Sequence, residues 1–330
     1  MSTEKKILVV FGATGAQGGS VIQSLLSIPN SPYQIRAITR NPTSPRALAL
    51  SSLGITLAAA DLNDAASLTS VLTGAHAVFL VTDFWADISA PTQEIEQGRR
   101  AIDVLAAIPT LEHLIWSSLP SIKDASGGKY SAVVHFDGKT EVTEYIKGRH
   151  EKLWAKTTEL WIAPYYQIWI SNRVVFGPKK VIDDGREVFV LSSHAHGSVK
   201  VPMVDVKETG LVVSAILAKG QDLYTKTVSM IGCDSSSQAE NLAMWGKYLD
   251  RDVLFNYISQ QTTEEYLKNL GMPEYLVRDL VELPLALEEF EGRLYRKKGI
   301  VLANEVRAGR KLRGWEEYVK GENWEGFLKD

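Results

Sequence analysis

Residues Ile7 to Phe11 form an unbroken apolar run rich in β-branched side chains, and the run ends on a glycine-spaced turn, Gly12-Ala13-Thr14-Gly15-Ala16-Gln17-Gly18-Gly19. A continuous run of this kind fits a strand buried on both faces, the setting of a parallel sheet. Val21, Ile22, Leu25 and Leu26 then recur at helical spacing until Pro29, Asn30 and Pro32 stop the pattern. Strand, tight turn and helix within about thirty residues open a βαβ unit.

The alternation continues down the chain. Residues 34–39, 55–59, 77–81, 113–117 and 159–163 read as further strands, and 45–52, 65–72, 91–107 and 133–147 as the helices between them. This predicts an α/β fold: a Rossmann-type doubly wound parallel sheet over 1–163, with 164–330 a smaller mixed α/β C-terminal domain interleaved with it. In the second part 201–206 reads as a strand leading into a helix over 207–218, and 237–249, 263–270 and 273–290 read as helices. The Gly- and Ser-bearing stretch 118–132 reads as a loop over the site. The cleft between the two units is the expected ligand site.

Composition narrows the function. Thirty-six Lys and Arg against 39 Asp and Glu give a net charge of -3, which supplies no basic field for nucleic acid or an anionic membrane surface. Cys233 is the only cysteine, so neither an intrachain disulfide nor a thiol pair for zinc or redox chemistry is expected, and the natural compartment is intracellular. The apolar run before Gly12 is too short for a signal-peptide core or a membrane span, which predicts the cytoplasm, with the nucleus as alternative. His194 and His196 have no evident third ligand, so no metal is expected. Lys179-Lys180 and Arg296-Lys297-Lys298 read as solvated faces.

A turn such as 12–19 does what pyrophosphate binding needs. Its glycines allow close backbone approach, and the helix that follows directs unpaired N–H groups and a partial positive charge at the anion. At the end of the second strand, Thr39-Arg40-Asn41 offers a guanidinium and no carboxylate. A guanidinium suits the 2′-phosphate of NADP(H), whereas NAD enzymes commonly place Asp or Glu there. NADP(H) is therefore the expected cofactor, with NAD(H) as alternative.

Four segments together, Val10 through Val21, Thr39-Arg40-Asn41-Pro42, His135-Phe136-Asp137-Gly138-Lys139 and Ala163-Pro164-Tyr165-Tyr166-Gln167, resemble the NmrA-like family, an atypical branch of the short-chain dehydrogenase/reductase superfamily that includes redox-sensor members. The resemblance implies that residues 12–17 wrap the pyrophosphate, Arg40 meets the 2′-phosphate, and Asp61 and Leu62 flank the adenine end. It places Thr82, Asp83 and Phe84 beside the ribose and nicotinamide half, Lys139 on the nicotinamide ribose, and Pro164, Tyr165, Tyr166 and Gln167 beside the nicotinamide. Two departures reduce the positive charge near the 2′-phosphate: relatives often carry basic residues where this chain has Thr43 and Ser44, and a lysine near Glu96, although Arg46 compensates.

Ordinary members of that superfamily use a tyrosine four residues before a lysine, both on one helix face. Here His135 stands at the tyrosine position, with Lys139 four residues on. Imidazole exchanges protons near neutral pH, but a neighbouring lysine cation opposes the imidazolium, which favours a structural or ligand-contacting His135 over a catalytic acid. Ser117 and Ser118 stand where a substrate carbonyl would bind, and Tyr130, Tyr165 and Tyr166 are alternative donors. Trp154, Trp161 and Trp169 with these tyrosines suit an aromatic pocket or interdomain packing. Two functions follow: a redox-sensing NADP(H) binder that changes its contacts with a regulatory protein partner, favoured by the missing tyrosine, and an NADPH-dependent reductase of a small hydrophobic carbonyl, imine or alkene substrate.

Overall fold

The structure is a computed structural model describing residues 5–233 and 235–329; residues 1–4, part of the stretch read as lacking a leader, lie outside the described residues. Among the described residues eleven strands order it: β1 (Lys6–Val10), β2 (Tyr33–Thr39), β3 (Thr56–Ala59), β4 (Ala77–Leu80), β5 (His113–Ser118), β6 (Thr157–Ile162), β7 (Lys179–Asp183), β8 (Arg186–Ser193), β9 (Thr227–Met230), β10 (Asp252–Tyr257) and β11 (Val301–Leu302). Eight form one sheet in the order β11-β9-β6-β5-β4-β1-β2-β3, every pair parallel. This is the doubly wound architecture that the alternating pattern predicts. β4 and β5 are buried along their whole length, as central strands covered on both faces must be. Each wholly buried large side chain, such as Phe79 or Trp116, contributes roughly 1.5–3 kcal/mol through removal from water.

Among the described residues ten helices have seven residues or more: α1 (Ala16–Leu26), α2 (Pro45–Ser51), α3 (Ala65–Leu72), α4 (Gln93–Ala106), α5 (Val134–Arg149), α6 (Thr209–Lys219), α7 (Gln238–Leu249), α8 (Gln260–Asn269), α9 (Glu274–Phe290) and α10 (Trp315–Gly321). Beyond residue 163 the chain returns to the main sheet twice, through β9 and β11, and α6 packs on α1 where the Ser20 hydroxyl donates to Lys207 O and accepts from Gly210 N. A second sheet, β10-β8-β7, is antiparallel at β7–β8 and parallel at β8–β10. No described helix is long and apolar enough to cross a membrane.

Two expectations need correction. Residues 201–206 form no strand; Met203 and Val204 make isolated bridges to Cys233 and Tyr165, and Pro202 lacks the N–H a ladder requires. The stretch 118–132 is not all loop, since Ile122–Ala125 forms one helical turn capped by Ser121.

His113 opens β5 with 3% exposure, its Nε2 2.8 Å from Thr158 Oγ1. Burial pulls its pKa down from 6.5 to about 4, so below 6.5 the unfolded chain takes up the proton first. Stability is complete above that value and falls, by up to ~1.4 kcal/mol per pH unit, as pH drops through the window. Urea midpoints measured across it are expected to fall less for His113→Gln than for the native chain; equal slopes would show that another group governs acid loss.

Candidate functional site

The strand order reverses beside β1, with β2 and β3 on one side and β4 on the other, and ligands of open α/β sheets bind outside the strand ends at such a point. The glycine turn sits there. Gly12 has φ +62°, and Ala13 N reaches across to Ile38 O on β2. At Gly18 a Cβ would lie 2.4 Å from Gly12 O and 2.5 Å from Phe11 O, so only glycine lets α1 start this close to the turn. Gly15 caps α1 without a side-chain hydrogen bond, and the first turn carries no acid. Its leading N–H groups are thus available to an anion, and the exposed Gly12, Gly15 and Ala16 present backbone to it. This cradle fits a dinucleotide pyrophosphate.

From the turn a cavity of about 720 Å³ runs between the main sheet and the α8–α9 region. Of the residues singled out from sequence, Gly12, Gly15, Ala16, Gln17, Gly18, Thr82, Asp83, Phe84, His135, Lys139, Pro164 and Tyr165 line it. Ala13, Thr14, Arg40, Asp61 and Leu62 lie outside the cavity, in or after the turn and at the ends of β2 and β3. Arg40 is exposed and makes no ion pair or hydrogen bond among the described residues, leaving its guanidinium free for an anion. Asp61 turns its own loop, Oδ1 accepting from Asn63 N, and Leu62 O accepts from Arg100.

Two residues expected beside the nicotinamide are used elsewhere. Tyr166 is wholly buried against Trp315 and Tyr318, its hydroxyl donating to Arg313 O. Gln167 spends its amide on Asp205 Oδ1 and Val206 N. Gln17 instead bridges the site: its carbonyl accepts from Ser117 at 2.7 Å and its amide donates to Tyr165 Oη. Burial holds the Tyr165 phenol above its ordinary value, offset in part by the Gln17 amide. Tyr130 donates to Glu289 and does not line the cavity. The tryptophans separate: Trp169 lines the cavity, Trp154 packs under Lys147, and Trp161 stays half-buried at β6. His194 is buried between Thr263 and Val281 O, whereas His196 contacts Ser198 near the surface.

Lys139 is buried and points at Glu94 Oε1 (2.7 Å), Thr82 O (2.8 Å) and Thr82 Oγ1 (2.6 Å). An ammonium has three hydrogens, so these acceptors use all of them, and a ribose hydroxyl could engage Lys139 only by exchange. Glu94, 5% exposed, was not among the residues singled out from sequence. Its signal was present: Glu94 shares the buried face of α4 with Gly98, Ala101, Ile102 and Leu105, a carboxylate at apolar spacing.

His135 carries the same kind of unforeseen partner. Its Nδ1 lies 2.6 Å from Asp279 Oδ1, an ion-pair approach away from a straight hydrogen-bond line, and its backbone N–H donates to Asp279 Oδ2 at 3.1 Å. Asp279 sits on α9 with no exposure. Phe84, Trp85 and Phe136 surround the ring at centroid distances of 5.6, 5.6 and 4.9 Å. Beyond it the wall is apolar, with Leu280, Leu283 and Leu287 of α9 facing the cavity.

Known proteins resemble this chain in sequence and in fold. An NmrA-like family domain-containing oxidoreductase of Aspergillus campestris is 31% identical over 291 residues, covering 83% of this chain and 80% of its own. One of Penicillium ochrochloron is 37% identical over 152 residues, covering 44% of this chain and 44% of its own length, so the match spans under half of that relative. Among solved structures, NmrA, a negative transcriptional regulator, in complex with NAD aligns with TM-score 0.73 at 19% identity, over 97% of this chain and 95% of that one. An Escherichia coli NADPH-dependent quinone oxidoreductase complexed with NADPH aligns with TM-score 0.69 at 20% identity, over 95% and 98%. The model of the NmrA-like family matches residues 4–319, and the chain belongs to that family.

Proposed function

We propose that this protein is an NADP(H)-dependent oxidoreductase that reduces a carbonyl, imine or conjugated alkene in a small apolar molecule. One observation carries the reading: the cavity does not stop at the glycine turn but continues past His135 along the leucines of α9. Its volume of about 720 Å³ falls in the ~300–1,000 Å³ range of small-molecule sites. A chamber that extends beyond the glycine turn supports a second small molecule beside the cofactor. The oxidoreductase names of the Aspergillus campestris and Penicillium ochrochloron relatives point the same way.

In this reading the glycine turn and the start of α1 hold the pyrophosphate, Arg40 holds the 2′-phosphate, and Asp61 with Leu62 borders the adenine end. Thr82, Asp83, Phe84, Pro164 and Tyr165 enclose the nicotinamide half, which when bound supplies a hydride to a substrate carbon. The apolar wall excludes water and favours an uncharged substrate, and Gln17 ties the turn to β5 through Ser117 and to the 163–165 segment through Tyr165. Lys139, held inward by Glu94, keeps a positive charge beside Thr82 without leaving it unpaired.

NADPH oxidation followed with a panel of apolar quinones, ketones, imines and enones tests the proposal. Turnover of at least one class is expected, with NADPH used in preference to NADH. Arg40→Ala is expected to weaken NADPH binding by roughly 10- to 100-fold while leaving NADH binding nearly unchanged, as loss of one charged hydrogen-bonding partner worth about 1.5–3 kcal/mol would do. Cofactor binding without turnover of any class would instead favour redox sensing.

A further inference from the structure

We propose that Asp279 positions His135 as the proton donor of this site, a dyad whose two members come from α5 and α9. The proposal rests on the reductase reading above. Asp279 interrupts an apolar face: Leu276, Leu280 and Leu283 of α9 are buried around it. A carboxylate taken out of water at that position needs compensation, and among the described residues no lysine or arginine pairs with it. Both its oxygens go to one residue, Oδ2 to the His135 backbone N–H and Oδ1 to within 2.6 Å of the imidazole Nδ1.

Helix capping accounts for half of this. His135 lies in the first turn of α5, which has no side-chain cap of its own, and a carboxylate there suits the exposed N–H groups and the helix dipole. Capping leaves the second oxygen unexplained. That oxygen holds a ring that lines the cavity and whose Nε2 has no partner among the described residues. A buried carboxylate on Nδ1 fixes the tautomer and orientation of an imidazole and stabilises its cation, so that Nε2 faces the reacting atom.

The objection from Lys139 is also met by the geometry. Its ammonium is 2.7 Å from Glu94, so the site contains two opposed pairs and not a lone lysine cation facing an imidazolium. As a substrate carbon accepts a hydride, with its electron pair, from NADPH, the Nε2 proton passes to the oxygen or nitrogen that gains the negative charge. The ring is left neutral with its remaining hydrogen on Nδ1 against Asp279, and a proton from solvent restores it.

Asp279→Asn tests the dyad. One atom of the new amide must still accept the His135 backbone N–H, and only its oxygen can, so its NH₂ is turned toward Nδ1. The cap is kept, and the neutral ring is forced to carry its hydrogen on Nε2. Nitrogen-15 NMR of the imidazole, assigned by difference against His135→Gln and read at a pH where the ring has given up its transferable proton, is expected to show the Nδ1–H tautomer in the native protein and Nε2–H in Asp279→Asn. The kcat for a substrate found by the NADPH panel is expected to fall by roughly 10²-fold, the usual worth of a positioned acid, with KM and NADPH affinity changed by less than about threefold. His135→Gln should lose as much, and the double variant no more than either alone. An unchanged tautomer, or undiminished kcat in Asp279→Asn, overturns the dyad and leaves the reductase reading standing. A native protein that turns over no substrate overturns that reading and proton donation with it, whatever the tautomer.

Discussion

Gly18→Ala is expected to abolish measurable NADPH binding and to lower stability by roughly 1–3 kcal/mol, the usual cost of forcing an extra carbon into packed structure. The new Cβ would lie 2.4 Å from Gly12 O, 2.5 Å from Phe11 O and 2.6 Å from Gly12 C. These are backbone atoms of the turn itself, so they cannot swing aside as a flexible side chain could. Relief must come from moving α1 away from β1, and that displaces the N–H groups an anion would meet. Gly19→Ala is the matched control. Its Cβ meets only Ala13 O at 3.5 Å, an ordinary contact, and replacing a helical glycine stabilises by about 0.5–1 kcal/mol. Calorimetric titration with NADPH and thermal melts of both variants check the pair. If Gly18→Ala binds NADPH as tightly as the native chain, the turn is not the anion site.

The contrast between these neighbouring glycines shows what a sequence can and cannot reveal. The spacing from Gly12 to Gly18, set between a buried run and a helix, was enough to place the turn between the first strand and first helix of a parallel sheet, and the strand order puts that turn at the switch point. β1 through β6 were legible because strand segments there recur in regular alternation with helices that have clear stops. β9 and β11 were not, because TVSM and VL fall outside that alternation and pair where β6 and β9 offer open edges. β8 does alternate, with Phe189 and Leu191 turned inward, but its signal sits beyond the point where the regular βα order ends. In the site, residues local to the turn and to the 135–139 motif were legible, whereas their partners were not. Glu94 and Asp279 meet Lys139 and His135 across 45 and 144 residues of chain, and nothing local joins them. Each nonetheless left one mark, an acid at a position where helical period calls for an apolar side chain.

The mark at Glu94 leads to the second large effect. Glu94→Leu is expected to destabilise the fold by roughly 3–5 kcal/mol, because it leaves the Lys139 ammonium buried without a carboxylate. The lysine is 8% exposed, so little solvent is available to replace the lost partner, and Thr82 supplies only neutral oxygens. Lys139→Met is expected to cost a similar amount by stranding Glu94, which keeps only the Thr82 hydroxyl at 2.9 Å. The double variant removes both charges and both desolvation penalties, and it should recover most of the loss, with an interaction term of several kcal/mol in the cycle. Urea unfolding of the four proteins reads this directly; additive single losses would show that the two charges do not depend on each other. The same double variant separates two roles of Lys139 that the single variants confuse. With the fold restored, a large drop in NADPH affinity means that Lys139 exchanges an internal acceptor for the cofactor. Affinity equal to that of the native protein means that the lysine holds α4, α5 and the end of β4 together, and that cofactor recognition is left to the glycine turn and Arg40.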